Sequence, residues 1–256
     1  MGDGTPAPRT VREERSLSPM RKTIAERLSE SYREAVHVTV SREVDAEALV
    51  AAAEAANEGD AGAEDVDVSL LDVLLVAVSA TLAEHPAFNA TFEDGTHRVY
   101  EEHNLAVAVA IEAGLVTPVV ADVGSKSLAE VAGERRRLTE RVQSGEFTMS
   151  DLQGSTFTVS NLGPLGVDSF TPVINPPEVA ILGVSRLRER ARPADAGVEF
   201  RREVTLDLSI DHRVVDGADA ARFLSTLAEH VESADATVEA EKIGRASCRE
   251  RVCQYV

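Results

Sequence analysis

A chain of 256 residues, 43% of them hydrophobic, is long enough to bury an ordinary core, and its most apolar segment, Leu70–Leu82, is too short to span a bilayer. The formal net charge of −18, from 44 acidic and 26 basic residues, argues against nucleic-acid binding, which draws on basic surfaces. No basic region followed by an apolar stretch opens the chain, so no secretory signal is expected.

Met1–Ser16 is rich in proline, glycine and charge without periodicity, and reads as a linker or frayed arm. The folded domain is expected over residues 17–241. Ser18-Pro19 offers a capping residue followed by proline at the first helical position, and Met20, Ile24 and Leu28 repeat at four-residue spacing. A helix is predicted there. His37–Val44 alternates as a strand does, and Asp45 is a candidate cap for a helix over Ala46–Ala56. The acidic run Asn57–Asp67 reads as a hydrated loop. Leu70–Leu82, interrupted by Asp72, reads as a buried helix ending near His85-Pro86. Strand-like runs follow at Leu105–Ile111 and Val116–Ala121, separated by a turn at Ala113-Gly114. Ser127–Val142 is amphipathic, with Leu128, Val131, Leu138 and Val142 on one side and arginines opposite. Thr156–Ser160, Val179–Val184 and Val198–Ile210 supply further strands, the last expected to break near Glu203. Ala218–Val231 forms a final helix. This mixture of elements indicates an α/β protein, with helices packed on a mixed sheet.

Between the last strand and the last helix lies Asp211-His212-Arg213-Val214-Val215-Asp216-Gly217. A strand-to-helix junction is a place where a rigid scaffold presents a reactive side chain. Spacing alone is equally compatible with a simple turn in which Asp216 caps the helix. The other histidines, His37, His85, His97, His103 and His230, are read as structural. His37 merits attention because it opens a strand.

The string DHRVVDG resembles the HxxxDG signature of the acyltransferase core of 2-oxo acid dehydrogenase complexes, shared more loosely with chloramphenicol acetyltransferase. Gly154–Gly163 (GSTFTVSNLG), Pro164-Leu165-Gly166 and Asn175–Gly183 (NPPEVAILG) together resemble the family's other hallmark region. Asn104–Val131 is similar to a third block, and Leu17–Leu49, containing MRKTIAERL, to a fourth. The blocks follow in collinear order from Leu17 to Val231.

That resemblance implies a chloramphenicol-acetyltransferase-like two-layer sandwich, and transfer of an acyl group from S-acyl-dihydrolipoamide to coenzyme A. His212 would be the base that takes the proton of the coenzyme A thiol, a placement that contributes about 10²–10⁴ in rate. Ser160 would donate to the oxyanion of the tetrahedral intermediate. Asp216 would form a buried ion pair with an arginine, by motif position Arg21, with Arg27 as second candidate. Gly217 would allow a tight turn, and Asp211 and Arg213 would be framework. No metal is called for.

The same resemblance implies a homotrimer with its sites between subunits, either as such or built into a larger cubic or icosahedral core. The lipoyl group would arrive on a lipoyl domain of another chain or of a missing segment. The decarboxylase and dihydrolipoamide dehydrogenase components would be partners, in the cytoplasm, with neither membrane nor nucleic acid involved. Two alternatives stand beside the enzyme. A non-catalytic core scaffold is disfavoured because His212 and Ser160 are both retained. A free-standing small-molecule acetyltransferase is disfavoured by the NPPEVAILG block.

Two features stand outside the resemblance. The high acidity, with only three lysines, is similar to the surfaces of proteins from extreme halophiles, where molar salt shortens the Debye length to about 3 Å. Lys242–Val256 is basic and carries both cysteines, Cys248 and Cys253; Ile243–Val252 resembles the translation of a common sequencing adapter. No disulfide or metal role is assigned to this tail.

Overall fold

The computed structural model describes residues 9–58, 67–112, 114–194 and 197–236. The tail Lys242–Val256, most of the acidic run 57–67 and Ala113 lie outside the described residues. The first helix, α1 (Pro19–Glu34), begins as expected: the Ser18 hydroxyl accepts a hydrogen bond from the Arg21 amide at 3.2 Å, and Pro19 follows the cap. Strand β1 (His37–Asp45) leads into α2 (Glu47–Asn57). Ala46 holds the cap position of α2, while the Asp45 carboxylate accepts from the Glu47 amide at 2.9 Å.

Helix α3 (Leu70–Glu84) contains Asp72, whose side chain is fully buried against the Arg135 guanidinium. The same carboxylate closes a capping box with Ser69, so the interruption in this apolar segment is a paired charge. A small hairpin follows, β2 (Ala90–Glu93) and β3 (Thr96–Val99). It is not among the expected elements, although its turn, Asp94-Gly95 with φ of 49° and 72°, is a recognisable hairpin signal.

The expected strand Leu105–Ile111 is divided into β4 (Leu105–Val107) and β5 (Val109–Ile111), and the next run into β6 (Gly114–Val116) and β7 (Val119–Val120). β4 and β7 belong to the main sheet, whereas β5 and β6 form a separate hairpin. Helix α4 (Leu128–Ser144) has the predicted apolar face and a capping box between Ser127 and Glu130. Then come β8 (Phe157–Asn161), β9 (Ala180–Val184), β10 (Arg188–Ala194), β11 (Gly197–Asp211) and α5 (Gly217–Glu232).

β11 runs unbroken for 15 residues, contrary to the bend expected near Glu203. Glu203 pairs with Asp45 on one side and Arg188 on the other, so two ladders hold the strand through that position. The main sheet has the order β1-β11-β9-β8-β4-β7, with β10 also on β11. Pairings β8–β9 and β4–β8 are parallel and the others antiparallel. It is a mixed sheet with helices packed on it.

The alternation Val204–Asp211 sorts the two faces of this sheet. Val204, Leu206, Leu208 and Ile210 are buried in the core that includes Leu74, Leu82, Phe223 and Leu227 of the helices. Glu203, Thr205, Asp207, Ser209 and Asp211 point the other way, yet are also buried. Residues 162–178 cover this polar face: Ile174 donates its amide to His37 and accepts from Ser31, and Ser169 and Phe170 donate to Asp207. Among the described residues no helix is long and apolar enough to cross a membrane.

Candidate active site

His212 stands in the turn directly after β11. Its amide donates to the Val36 carbonyl at 2.9 Å, tying the turn to the entrance of β1, and its imidazole is 41% exposed. The preceding Asp211 is the anchor. Its buried carboxylate accepts from the amides of Val36 and Arg213 at 3.2 and 3.1 Å, and from the Arg213 guanidinium at 2.6–3.0 Å. Burial pushes this carboxyl up, but the hydrogen bonds from Arg213 and Val36 outweigh it and hold the group below the usual carboxylate range. Arg213 in turn lies over the Phe92 ring at 4.8 Å, a favourable cation–π arrangement.

Asp216 departs from expectation. Its side chain is 76% exposed, with Oδ1 3.7 Å from His212 Nδ1. It is the N-cap of α5 and shares a capping box with Asp219. Arg21 lies instead with its guanidinium 3.6 Å from where a Cβ on Gly114 would stand, and Arg27 donates to the Pro176 carbonyl at 3.1 Å. The ion pair of this loop is therefore Asp211–Arg213, with the carboxylate buried and the guanidinium about one-third exposed; among the described residues Asp216 has no arginine partner. Gly217 also differs: it opens α5 without a left-handed φ, and a Cβ there would meet open space.

Ser160 lies near the end of β8, half-buried on the polar face of the sheet. Among the described residues its hydroxyl has no hydrogen-bond partner. Ser160 pairs with Gly183, and Gly183 with Asp207, so these three form one row across the sheet. His212 comes five residues after Asp207 on an extended path, about 17 Å farther along the strand direction. One chain thus brings His212 and Asp216 together and keeps Ser160 away from both.

The remaining histidines have local duties. His37 uses both ring nitrogens, Nδ1 toward the Ala35 carbonyl and Nε2 toward the Ile174 amide, each at 3.2 Å. His103 contacts Ser79 at 2.7 Å, His85 Thr226 at 2.8 Å, His97 the Ala87 carbonyl at 3.0 Å and His230 Glu84 at 2.7 Å. Two buried acids escape a motif-based reading. Glu178, in the NPPEVAILG block, accepts from Ser155, Thr158 and Asn175 at 2.5, 2.6 and 2.9 Å, and burial pushes its carboxyl up to about 7. Asp207, the lone carboxylate of VTLDLSI, is buried among four donors. An acid breaking an apolar or hydroxyl-rich strand pattern is the signal that marks both.

The profile of the family described as 2-oxoacid dehydrogenases acyltransferase (catalytic domain) matches residues 10–238. The chain belongs to this acyltransferase family. It is 35% identical over 224 residues, 86% of this chain and 54% of the relative, to the dihydrolipoyllysine-residue acetyltransferase component of the pyruvate dehydrogenase complex of Rickettsia bellii. It is 36% identical over 230 residues, 89% of this chain and 56% of the relative, to the dihydrolipoyllysine-residue succinyltransferase component of the 2-oxoglutarate dehydrogenase complex of Bartonella vinsonii. The acyltransferase chain spans about half the length of these curated relatives.

Among solved structures, the cubic core of the pyruvate dehydrogenase multienzyme complex matches with a TM-score of 0.80 at 32% identity, covering 89% of this chain and 97% of that one. Dihydrolipoamide acetyltransferase of Azotobacter vinelandii matches with the same values, TM-score 0.80, 32% identity and coverage of 89% and 97%. That structure addresses the role of a serine, a histidine and an asparagine four residues after the histidine in the catalytic mechanism. Chloramphenicol acetyltransferase, at 14% identity and a TM-score of 0.50 over 80% of this chain and 94% of that one, shares the fold.

Proposed function

We propose that this acyltransferase domain moves an acyl group between dihydrolipoamide and coenzyme A, as the catalytic core of a 2-oxo acid dehydrogenase complex. The observation that carries this reading is the disposition of Ser160 and His212: an unpartnered hydroxyl and an exposed imidazole, each on a firm base, at opposite ends of one sheet. Among the described residues neither side chain makes a hydrogen bond. A symmetric trimer joins the His212 end of one subunit to the Ser160 end of the next and completes the site. Assembly of trimers into a cubic or icosahedral shell is part of the proposal, supported by the likeness to a cubic core.

In that site His212 takes the proton of the coenzyme A thiol, a group with a pKa of about 8.5 that is largely un-ionised at neutral pH. The sulfur attacks the thioester carbonyl, and the Ser160 hydroxyl donates to the resulting oxyanion. The intermediate collapses, the carbon–sulfur bond to the dihydrolipoyl group breaks, and His212 returns the proton to the departing sulfur. Asp216 has the spacing from His212 that the asparagine has from the histidine in the Azotobacter enzyme. Its role is to start α5 and to face the imidazolium when that charge forms, at 3.7 Å in the free chain. Asp211 and Arg213 keep the loop in place.

The lipoyl group comes from a lipoyl domain, and the decarboxylase and dihydrolipoamide dehydrogenase components act before and after this step in a cytoplasmic complex. The acidic surface suits a salt-rich cytoplasm. The deciding assay is transfer between acyl-coenzyme A and dihydrolipoamide by the purified assembly. Formation of acyl-dihydrolipoamide supports the reading; acetylation of small alcohols or amines alone, or no turnover by a correctly assembled core, refutes it.

A further inference from the structure

The hairpin β2–β3 stands beside the His212 turn, and backbone hydrogen bonds fix its place there. The Asp211 amide donates to the Val179 carbonyl at 2.8 Å, and the Val179 amide to the Ala90 carbonyl at 3.2 Å. The Phe92 amide donates to the Pro177 carbonyl at 2.9 Å. Residues 177–179 therefore join the end of β11 to β2. This seating brings the half-buried Phe92 ring against the Arg213 guanidinium, whose Cζ lies 4.8 Å from the ring centroid.

Arg213 has competing places to go. Its amide, Nε and Nη2 all donate to Asp211, while the charge of Glu34, at the end of α1, acts on the same guanidinium. The guanidinium is also about one-third exposed, so water competes for it. An aromatic face against the planar group favours the orientation in which its edge meets Asp211.

That orientation matters to the residue between them. Asp211 and Arg213 close a ring across the backbone of His212. The His212 amide donates to the Val36 carbonyl, and the Val36 amide returns to the Asp211 carboxylate at 3.2 Å. Among the described residues the imidazole makes no hydrogen bond, so this ring sets its place.

We propose that Phe92 is a positioning residue for His212: its ring keeps Arg213 on Asp211 and thereby fixes the imidazole relative to Ser160 of the neighbouring subunit. This rests on the transfer reaction proposed above. A site shared between two chains tolerates a loose base poorly, since a displacement of about 1 Å costs on the order of 10²-fold in rate. Phe92 acts through Arg213 and takes no part in the proton transfer itself.

The test uses the assembled full chain and two readouts. One is kcat and KM for transfer between acetyl-coenzyme A and dihydrolipoamide; the other is hydrogen exchange of the Val36 and His212 amides. Phe92→Leu keeps apolar bulk and removes the aromatic face. It lowers kcat about 5–30-fold at unchanged KM, the factor that loss of a cation–π contact allows, and speeds exchange at both amides. Phe92→Tyr and Phe92→Trp keep the face and recover most of the loss. Arg213→Met already lacks the cation, so adding Phe92→Leu to it lowers kcat no further. Wild-type kcat and exchange in a folded Phe92→Leu assembly overturn the proposal, as does an undiminished effect of Phe92→Leu in the Arg213→Met background. Absence of transfer by the wild type overturns the transfer reaction, while the exchange rates still show whether Phe92 holds the turn.

Discussion

Ser160 and His212 occupy opposite ends of one sheet: Ser160 shares a row with Gly183 and Asp207, and His212 comes five residues past Asp207. A site that needs both groups is complementary between chains. Mixing inactive His212→Ala with inactive Ser160→Ala subunits and reassembling them restores activity, because some interfaces pair an intact histidine with an intact serine. Random mixing of equal amounts yields about a quarter of intact sites in a cyclic assembly. Demonstrated mixed trimers without activity would mean that each chain holds its own complete site.

The single substitutions separate chemistry from binding. His212→Ala abolishes transfer and leaves the melting temperature near that of the wild type, since the imidazole is 41% exposed and makes no hydrogen bond among the described residues. Ser160→Ala lowers kcat by about 10²–10³ with little change in KM, because the hydroxyl meets a charge that exists only at the intermediate. A large rise in KM at unchanged kcat would move Ser160 into substrate binding.

Asp211 and Asp216 differ in what they hold. Asp211→Ala removes the buried acceptor of the Arg213 guanidinium and of two amides, and costs about 2–3 kcal/mol of stability. Asp216→Ala removes an exposed helix cap and costs about 0.5–2 kcal/mol. Chemical denaturation of both variants gives the order directly. A greater loss at Asp216 would reveal an arginine supplied by a neighbouring subunit.

Glu178 makes stability depend on pH. Its carboxyl, buried and pushed up to about 7 in the fold, ordinarily titrates near 4.3 when unfolded. The folded state therefore binds more protons between those values, and this group's contribution to stability falls as pH rises from about 4.5 through 7. Glu178→Gln removes that dependence: the variant approaches the wild type at pH 5 and exceeds it at pH 8, by up to roughly 3 kcal/mol. Denaturation midpoints of the two proteins across this range measure it by difference. A wild-type advantage that grows toward pH 8 would show that the ionised form is the favoured one.

The charge of −18 sets a salt dependence. Melting temperature rises between 0.1 M and 3 M KCl as self-repulsion of the carboxylates is screened. The ion pairs of Glu43 with Arg188 and Arg190 are exposed and lose little, since such pairs are worth about 0–1 kcal/mol. Full stability in dilute buffer would remove the halophilic reading.

Local order was legible in the residues themselves. The cap at Ser18-Pro19, the amphipathic stripe of α4, the alternation of VTLDLSI and the DHRVVDG turn each involve neighbours within a few positions, where spacing and rotational freedom decide the outcome. The family, and with it His212 and Ser160 as candidates, followed from strings of the same short range. Register did not. That Ser160 stands level with Asp207 and far from His212 depends on pairing strands distant in sequence, and a shift of one residue would have turned Ser160 to the core. The same limit explains Asp211 and Asp216. Both are acids in one turn, and only the position of Val36, Arg213 and Phe92 around the end of β1 decides which one is buried and which is left in water. Local sequence determined most of the helices and strands and which face of each is apolar, while the ladders on both sides of Glu203 decided that β11 runs unbroken. Tertiary structure decided which polar groups meet, because burial and partner are properties of a place assembled from several segments at once.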